Sequence, residues 1–407
     1  MSVKTFADLL YPITPEAFFK DYYQQRPLHI KNIKGEPNKV KALPDWDEIA
    51  SFLNRSNLWS AKSLNLALDR KILQPIDYCT PQQDLSDHTV MRPNLERVEY
   101  WLKQGASMVL NRVEFMSDGL NHIAGLLEDA LQAKVQCNLY ASSRARQAFN
   151  SHFDTHDVFA LHTVGEKRWK IYTTRRDFPI PHRRFDNAAF TQEQHQQDRG
   201  EILIDVTMRP GDLLYIPRGQ YHDALATNQD DQGSVHIAFG VNNVMGIDIA
   251  QLASDWLIED RQFRMNLPRL TDGKPALAKH LAELGDGIAS LFKNENFIDK
   301  VHDYVSHHKE DRRRIALPIQ AKALIYQVAT KMQIASMNGT MVLKNAKGAV
   351  SIPADKLAMM QWVVAQKQFD RYQFMDEFGH IPTNECDQFL HDLNKMGVIA
   401  TNMKDGN

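Results

Sequence analysis

The residues best suited to chemistry lie in two stretches: SHFDTHDVFALHTVGEKRWKIY, from Ser151 to Tyr172, and PGDLLYIPRGQYH, which ends at His222. Read as a strand, the first alternates. His152, Asp154, His156, Val158, Ala160 and His162 share one face, and Phe153, Thr155, Asp157, Phe159 and Leu161 the other. His152 and Asp154 therefore point the same way. One more imidazole would complete a 2-His-1-carboxylate set, which leaves three metal positions open. His222, just past a Pro-Gly turn and the apolar run LLYIP, is the candidate. Such donors suit iron(II), manganese or zinc, and the open positions suit a chelating substrate plus dioxygen. With sixteen histidines in the chain, one His-x-Asp is expected by chance. The weight of this one comes from its place at the opening of a strand, with a histidine beyond a buried run.

A chelating oxo-acid would need a cation for its distal carboxylate. Lys167 is the candidate, on a strand expected to pair with the one that carries His152 and Asp154; the plain alternative is a solvated strand end. Arg168 turns to the opposite face. Asn138 and Tyr140, two apart in VQCNLYAS, point into a barrel where a bound acid would satisfy them, or else they are ordinary cross-strand packing. His236 shares a face with Ser234, Ala238 and Gly240 and reads as a satisfied core histidine rather than a ligand. His156 and His162 are expected to be displaced along the barrel, and Trp169 and Trp256 to be core. The run Arg312-Arg313-Arg314 and the pairs Arg175-Arg176 and Arg183-Arg184 read as solvated faces.

The elements that must position these residues are short strands, rich in β-branched and aromatic side chains, at 135–142, 152–164, 167–174, 201–208, 212–219 and 235–243. Gly165-Glu166 is a hairpin signal. The pattern predicts a sandwich or jelly roll, interrupted by a long polar excursion at 175–200. Before it, Thr14 caps a helix begun by Pro15, PLHIKNI gives a strand, and helices are expected at 45–55, 95–104 and 117–133, with 79–95 as loop. After it, helices are expected at 247–263, 276–293, 296–308 and 319–333. A hairpin at 341–353, helices at 354–366 and 383–396, and a closing strand then suggest a winged-helix-type module.

The 407 residues allow two or three domains, and a net charge of -2 argues against a general nucleic-acid coat. No direct DNA binding is expected of the C-terminal module, which lacks a basic recognition helix. Cys79, Cys137 and Cys386 are far apart and without a CxxC pair, so neither a disulfide framework nor a thiolate zinc site is expected. The opening MSVKTFADLLYPITPEAFF lacks the apolar run of a signal peptide, and no stretch of 18 apolar residues follows. The expectation is a cytoplasmic protein without a membrane span.

The order NLY, HFDTHDVFALHTVGEKRWKIY, PGDLLYIPRGQYH, SVHIAFG resembles the cupin-like JmjC hydroxylases, in particular their ribosomal oxygenase branch; FFKDYYQQRPLHIKN resembles that branch's opening. The likeness is specific over 130–245, weaker over 15–130, and architectural beyond 246. It implies an α+β protein with a double-stranded β-helix (jelly-roll) catalytic domain at 1–245, its core at 130–245. A helical dimerisation region at 246–335 and a winged-helix-like domain at 336–407 would follow. It implies Fe(II) at His152, Asp154 and His222, with 2-oxoglutarate and dioxygen as cosubstrates, Lys167 on the distal carboxylate, Asn138 and Tyr140 lining that pocket, and His236 counted with them as a cosubstrate-binding residue. Near Ala238 and Gly240 relatives have hydroxyl residues, so the resemblance implies weaker cosubstrate binding or compensation by Ser234 or His236. The implied activity is hydroxylation of a protein side chain, arginine or histidine, in a large-subunit ribosomal protein, by a homodimer. Two other readings stand beside it. One is a 2-oxoglutarate oxygenase for a small molecule or peptide natural product, favoured if 175–200 closes a narrow pocket. The other is a non-oxidative metal cupin.

Overall fold

The structure, a computed structural model, describes residues 3–33, 39–84, 86–142, 150–226, 233–312, 315, 324–329, 332–337, 339–345 and 348–403. It divides into two units, Met1–Arg312 and Arg313–Asn407.

In the first unit the strands are β1 Leu28–Ile30, β2 Leu64–Leu68, β3 Lys71–Ile72, β4 Cys79–Gln83, β5 Thr89–Pro93, β6 Ser107–Asn111 and β7 Lys134–Ser142. They continue with β8 Asp157–Val164, β9 Lys167–Arg175, β10 Ile202–Met208, β11 Leu213–Ile216, β12 Gln220–Ala226 and β13 Ser234–Asn242. Eight of them form one sheet in the order β1-β11-β8-β13-β7-β6-β2-β3, and three form a second, β10-β9-β12. Facing antiparallel sheets of this kind are the jelly roll that the strand pattern predicts.

Strand β8 shows why the larger sheet is central. Seven of its eight residues are buried, so both of its faces are covered. Its outer face takes Phe159, whose ring lies 4.9 Å from Tyr215 and 5.7 Å from Phe18. Phe18 comes from the helix Pro15–Asp21, which the Thr14 side chain caps by accepting from the Ala17 amide. Burying one such ring is worth about 1.5–3 kcal/mol, so the N-terminal helices act as the outer wall of the sandwich. The inner face of the sandwich is left for the cavity.

Several expectations are corrected. Gly165 has φ +66° and ends a strand as predicted, but β8 and β9 do not pair: β9 pairs with β10 and β12. The turn is a corner between sheets, and Lys167 stands on β9, beside the strand β12 that carries His222. Residues 79–95 contain the hairpin β4–β5; the Asp84 amide donates to the His88 carbonyl, and by alternation Pro81, opposite Met91, falls at a non-hydrogen-bonded position. Arg312 is not a solvated residue, because its guanidinium grips Glu128 at 2.6 and 2.9 Å; Arg313 and Arg314 lie outside the described residues. The excursion holds a capped helix, Gln192–Asp198, behind Thr191.

Beyond β13 the helices Gly246–Leu257, Gly273–Leu291 and Glu295–Ser306 belong to the first unit. The second unit has strands β14 Leu324–Val328, β15 Gln333–Met337, β16 Thr340–Asn345, β17 Gly348–Ser351, β18 Gln368–Asp370 and β19 Ile399–Met403, in sheets β18-β14-β19 and β15-β16-β17. Helices Leu357–Ala365, Arg371–Glu377 and Thr383–Lys395 pack Val363, Phe374, Leu390 and Leu393 into its core. Of the helix expected at 319–333, residues 319–323 and 330–331 lie outside the described residues, and 324–328 are a strand. Residues before 336 therefore belong to the C-terminal unit, since β14 and β15 pair with strands further along it.

Candidate metal centre

Between the two sheets lies a cavity of about 330 Å³ lined by Asn138, Tyr140, His152, Asp154, His156, Val158, Lys167, Trp169, His222, Ala224, His236, Ala238 and Gly240. Small residues on β12 and β13 (Ala224, Ala238, Gly240) leave the space open.

At one end, ligand atoms of His152, Asp154 and His222 lie within 4.8 Å of one another. His222 is on β12, and a lone antiparallel bridge joins it to His152. Asp154 precedes β8, and its carbonyl accepts from the Gly219 amide. The imidazoles are held alike: His152 Nδ1 is 2.9 Å from the Asn150 carbonyl and His222 Nδ1 2.9 Å from the Gln220 carbonyl. Each Nδ1–H donates to its carbonyl, so each Nε2 presents a lone pair, the tautomer a metal ligand needs. His222 Nε2 is 3.5 Å from Asp154 Oδ2. Burial pulls the His222 pKa down to about 4, helped by the charge of His152, which keeps the ring neutral and able to ligate. Burial acts to raise Asp154, but His222, His152 and His156 outweigh it and the carboxyl titrates below its usual value.

At the other end, Lys167 is 5% exposed and its Nζ lies 3.2 Å from His236 Nδ1. Among the described residues no carboxylate is within ion-pair distance of it. Burial pulls its pKa down to about 7. Burial, with the Lys167 charge, also holds His236 well below its usual value, so that neutral ring can accept from the ammonium. Tyr140 stacks on His236, centroids 4.8 Å apart and planes within 9°, and burial pushes its phenol upward. His236 is thus a cavity residue that orients Lys167, rather than a core histidine. Ser234 does not line the cavity.

Trp169, expected as core, is a third inward residue. It lies between the two ends, 6.0 Å from the His222 ring and 5.1 Å from that of His236. Its Nε1–H is buried and has no hydrogen-bond partner among the described residues, so it is a donor for an acceptor in the cavity. Alternation along β9 from Lys167 would have placed it inward. His156 also lines the cavity, whereas His162 turns back, its Nε2 2.9 Å from the Gly165 carbonyl. Arg168 faces out and pairs with Asp205 at 2.6 Å.

The residues next to the ligands point the other way. Asp223 Oδ2 accepts from Ser151 Oγ at 2.7 Å and Tyr172 OH at 2.5 Å, and Arg199 donates to both hydroxyls at 2.7 and 2.9 Å. Phe153, Tyr172 and Tyr221 cluster with Phe190, while His195 Nδ1 sits 3.0 Å from Tyr221 OH. The 175–200 excursion therefore braces the ligand segments from behind, and none of its residues lines the cavity. We expect Asp223→Ala to destabilise the protein by about 2–3 kcal/mol in urea unfolding, because two buried hydroxyl donors lose their shared acceptor. A change under 0.5 kcal/mol would mean the brace carries no strain.

Over residues 109–247 the chain matches the family model of the JmjC domain. The matched stretch takes in strands β7 to β13 and all three residues of the triad. Among relatives, the chain is 29% identical over 270 residues to the bifunctional lysine-specific demethylase and histidyl-hydroxylase NO66 of Dictyostelium discoideum, covering 65% of this chain and 49% of that protein. It is 25% identical over 311 residues to ribosomal oxygenase 1 of Gallus gallus, covering 74% and 48%. The chain thus spans about half the length of these curated relatives. Among solved structures it is similar to Escherichia coli ribosomal oxygenase YcfD in complex with cobalt and 2-oxoglutarate, with 14% identity, TM-score 0.49, and 96% and 98% of the two chains covered. Among the described residues no helix is long and apolar enough to cross a membrane.

Proposed function

We propose that this protein is an Fe(II)- and 2-oxoglutarate-dependent oxygenase that hydroxylates a side chain, arginine or histidine, of a large-subunit ribosomal protein. The observation that carries the reading is the pairing, in one JmjC cavity, of a convergent 2-His-1-carboxylate triad with a buried lysine that has no described counter-anion. Two neutral imidazoles and one carboxylate suit iron(II), and the donor set leaves coordination positions for a chelating acid and dioxygen. Bound iron would supply activation of dioxygen, coupled to conversion of 2-oxoglutarate into succinate and carbon dioxide, with one oxygen atom entering a C–H bond of the target.

The protein's part is positioning. His152, Asp154 and His222 hold the metal; Lys167, oriented by His236, takes the distal carboxylate; the Trp169 N–H offers a further donor along the way. Asn138 and Tyr140 wall the same pocket. The apolar walls from Val158, Ala224 and Ala238 exclude water from the reacting atoms. Relatives named for histidyl hydroxylation and as a ribosomal oxygenase favour a protein target over a small molecule. A homodimer is in keeping with the helix Gly273–Leu291, none of whose residues is buried and which exposes Leu281 and Ile288. Three buried free thiols suit a cytoplasmic setting. We read the C-terminal unit as a winged-helix-like interaction module.

The test is succinate formation by anaerobically iron-loaded protein on exposure to air, with and without large-subunit ribosomal proteins. Succinate that rises with one ribosomal protein, which also gains 16 Da, is the expected result. Succinate indifferent to every ribosomal protein would redirect the search to small molecules, and none at all in folded, iron-bound protein would sink the oxygenase.

A further inference from the structure

Strand register sorts the cavity into two ends. Lys167 is level with Ala226 on β12, and His222 is level with Ile171, four residues along β9. At roughly 3.3 Å per residue that is about 13 Å. On β13, His236 marks the lysine end and Gly240, paired with Val158, the other. An acid that chelates at the triad and reaches Lys167 therefore runs away from Gly240.

His156 sits at that vacant end. It is two residues past Asp154, lines the cavity, and packs its ring onto Gly240 so closely that a Cβ there would lie 2.6 Å from its Nε2. Its Nδ1 is buried and has no hydrogen-bond partner among the described residues. It is not part of the convergent triad. A polar atom in such a place costs about 1–3 kcal/mol unless something arrives to meet it.

We infer that His156 is the residue that positions the target side chain, through a hydrogen bond between its ring and a target N–H such as that of an imidazole or guanidinium. Gly240 is the other half of the device: only the missing side chain lets the ring lie where it does. This rests on the oxygenase reading above, and the assignment of the two ends separates it from cosubstrate binding.

The test compares wild type, His156→Leu, His156→Asn and Gly240→Ala. One readout is the affinity of manganese-loaded protein for N-oxalylglycine, followed by tryptophan fluorescence. The other is 16-Da incorporation into the protein pool of the large ribosomal subunit. His156→Leu and Gly240→Ala should lower incorporation at least about tenfold, mainly through target KM, the loss expected of one buried hydrogen bond. N-oxalylglycine affinity should stay within about twofold. His156→Asn, whose amide falls near the Nδ1 position, should retain most of the incorporation. Incorporation by His156→Leu equal to wild type overturns the inference, as does a matching loss of N-oxalylglycine affinity, which would move His156 into the cosubstrate site. Wild type that modifies no ribosomal protein overturns the reading beneath it instead.

Discussion

Asp154→Ala abolishes metal retention and succinate formation while the protein stays folded. Asp154 is the sole anion of the triad, set 3.5 Å from His222 Nε2. Two neutral imidazoles alone neither balance a divalent charge nor fix its third coordination edge. Losing metal-centred stabilisation is worth several kcal/mol, on the order of a thousandfold in turnover. The fold should tolerate the change, because Asp154 is only half-buried and its carbonyl, which accepts from Gly219, is untouched. Metal content per chain after dialysis, read with circular dichroism, separates the two effects. A variant that kept both iron and turnover would remove Asp154 from the metal site.

The second large effect is at Lys167. Lys167→Ala should raise the KM for 2-oxoglutarate about a hundredfold and leave kcat much less changed, since a fully desolvated carboxylate–ammonium contact is worth about 2–5 kcal/mol. The same group sets a pH dependence. Burial holds the free lysine near 7, so above that pH it is neutral and an incoming dicarboxylate must bring a proton with it. The KM should be flat below pH 7 and climb by up to about tenfold per unit above it. Stability of the ligand-free protein moves oppositely. A folded pKa below the unfolded value means the unfolded chain holds more protons, so stability rises as pH climbs through about 7. Lys167→Ala should flatten both curves. Cosubstrate affinity that improves with pH would contradict the assignment.

The convergence of His152, Asp154 and His222 was legible because His-x-Asp lies just ahead of a strand and His222 follows a Pro-Gly turn and a buried run, signals local to the chain. Lys167 was legible as a residue but not as a place. A two-residue glycine turn looks the same in sequence whether it closes a hairpin or carries the chain from one sheet to another. His236 and Trp169 read as core because an inward residue of a hollow sandwich and an inward residue of a solid one share the same alternation; only the small residues at Ala224, Ala238 and Gly240 hinted at a hollow. Arg312 looked like part of a solvated run, since its partner Glu128 is far away in sequence. LIYQV at 324–328 is a short apolar run, ambiguous between helix and strand until β18 and β19 flank it.

The corner at Gly165 also bears on how the barrel breathes. Without a backbone ladder between β8 and β9, this edge of the sandwich is held shut by side chains from opposite walls. A molecule gripped by Lys167 and His222 on one wall and by Tyr140 and His236 around it would act as a rivet between them. Occupancy should then appear as slowed amide hydrogen exchange in β9 and β13 together, strands that share no hydrogen bond.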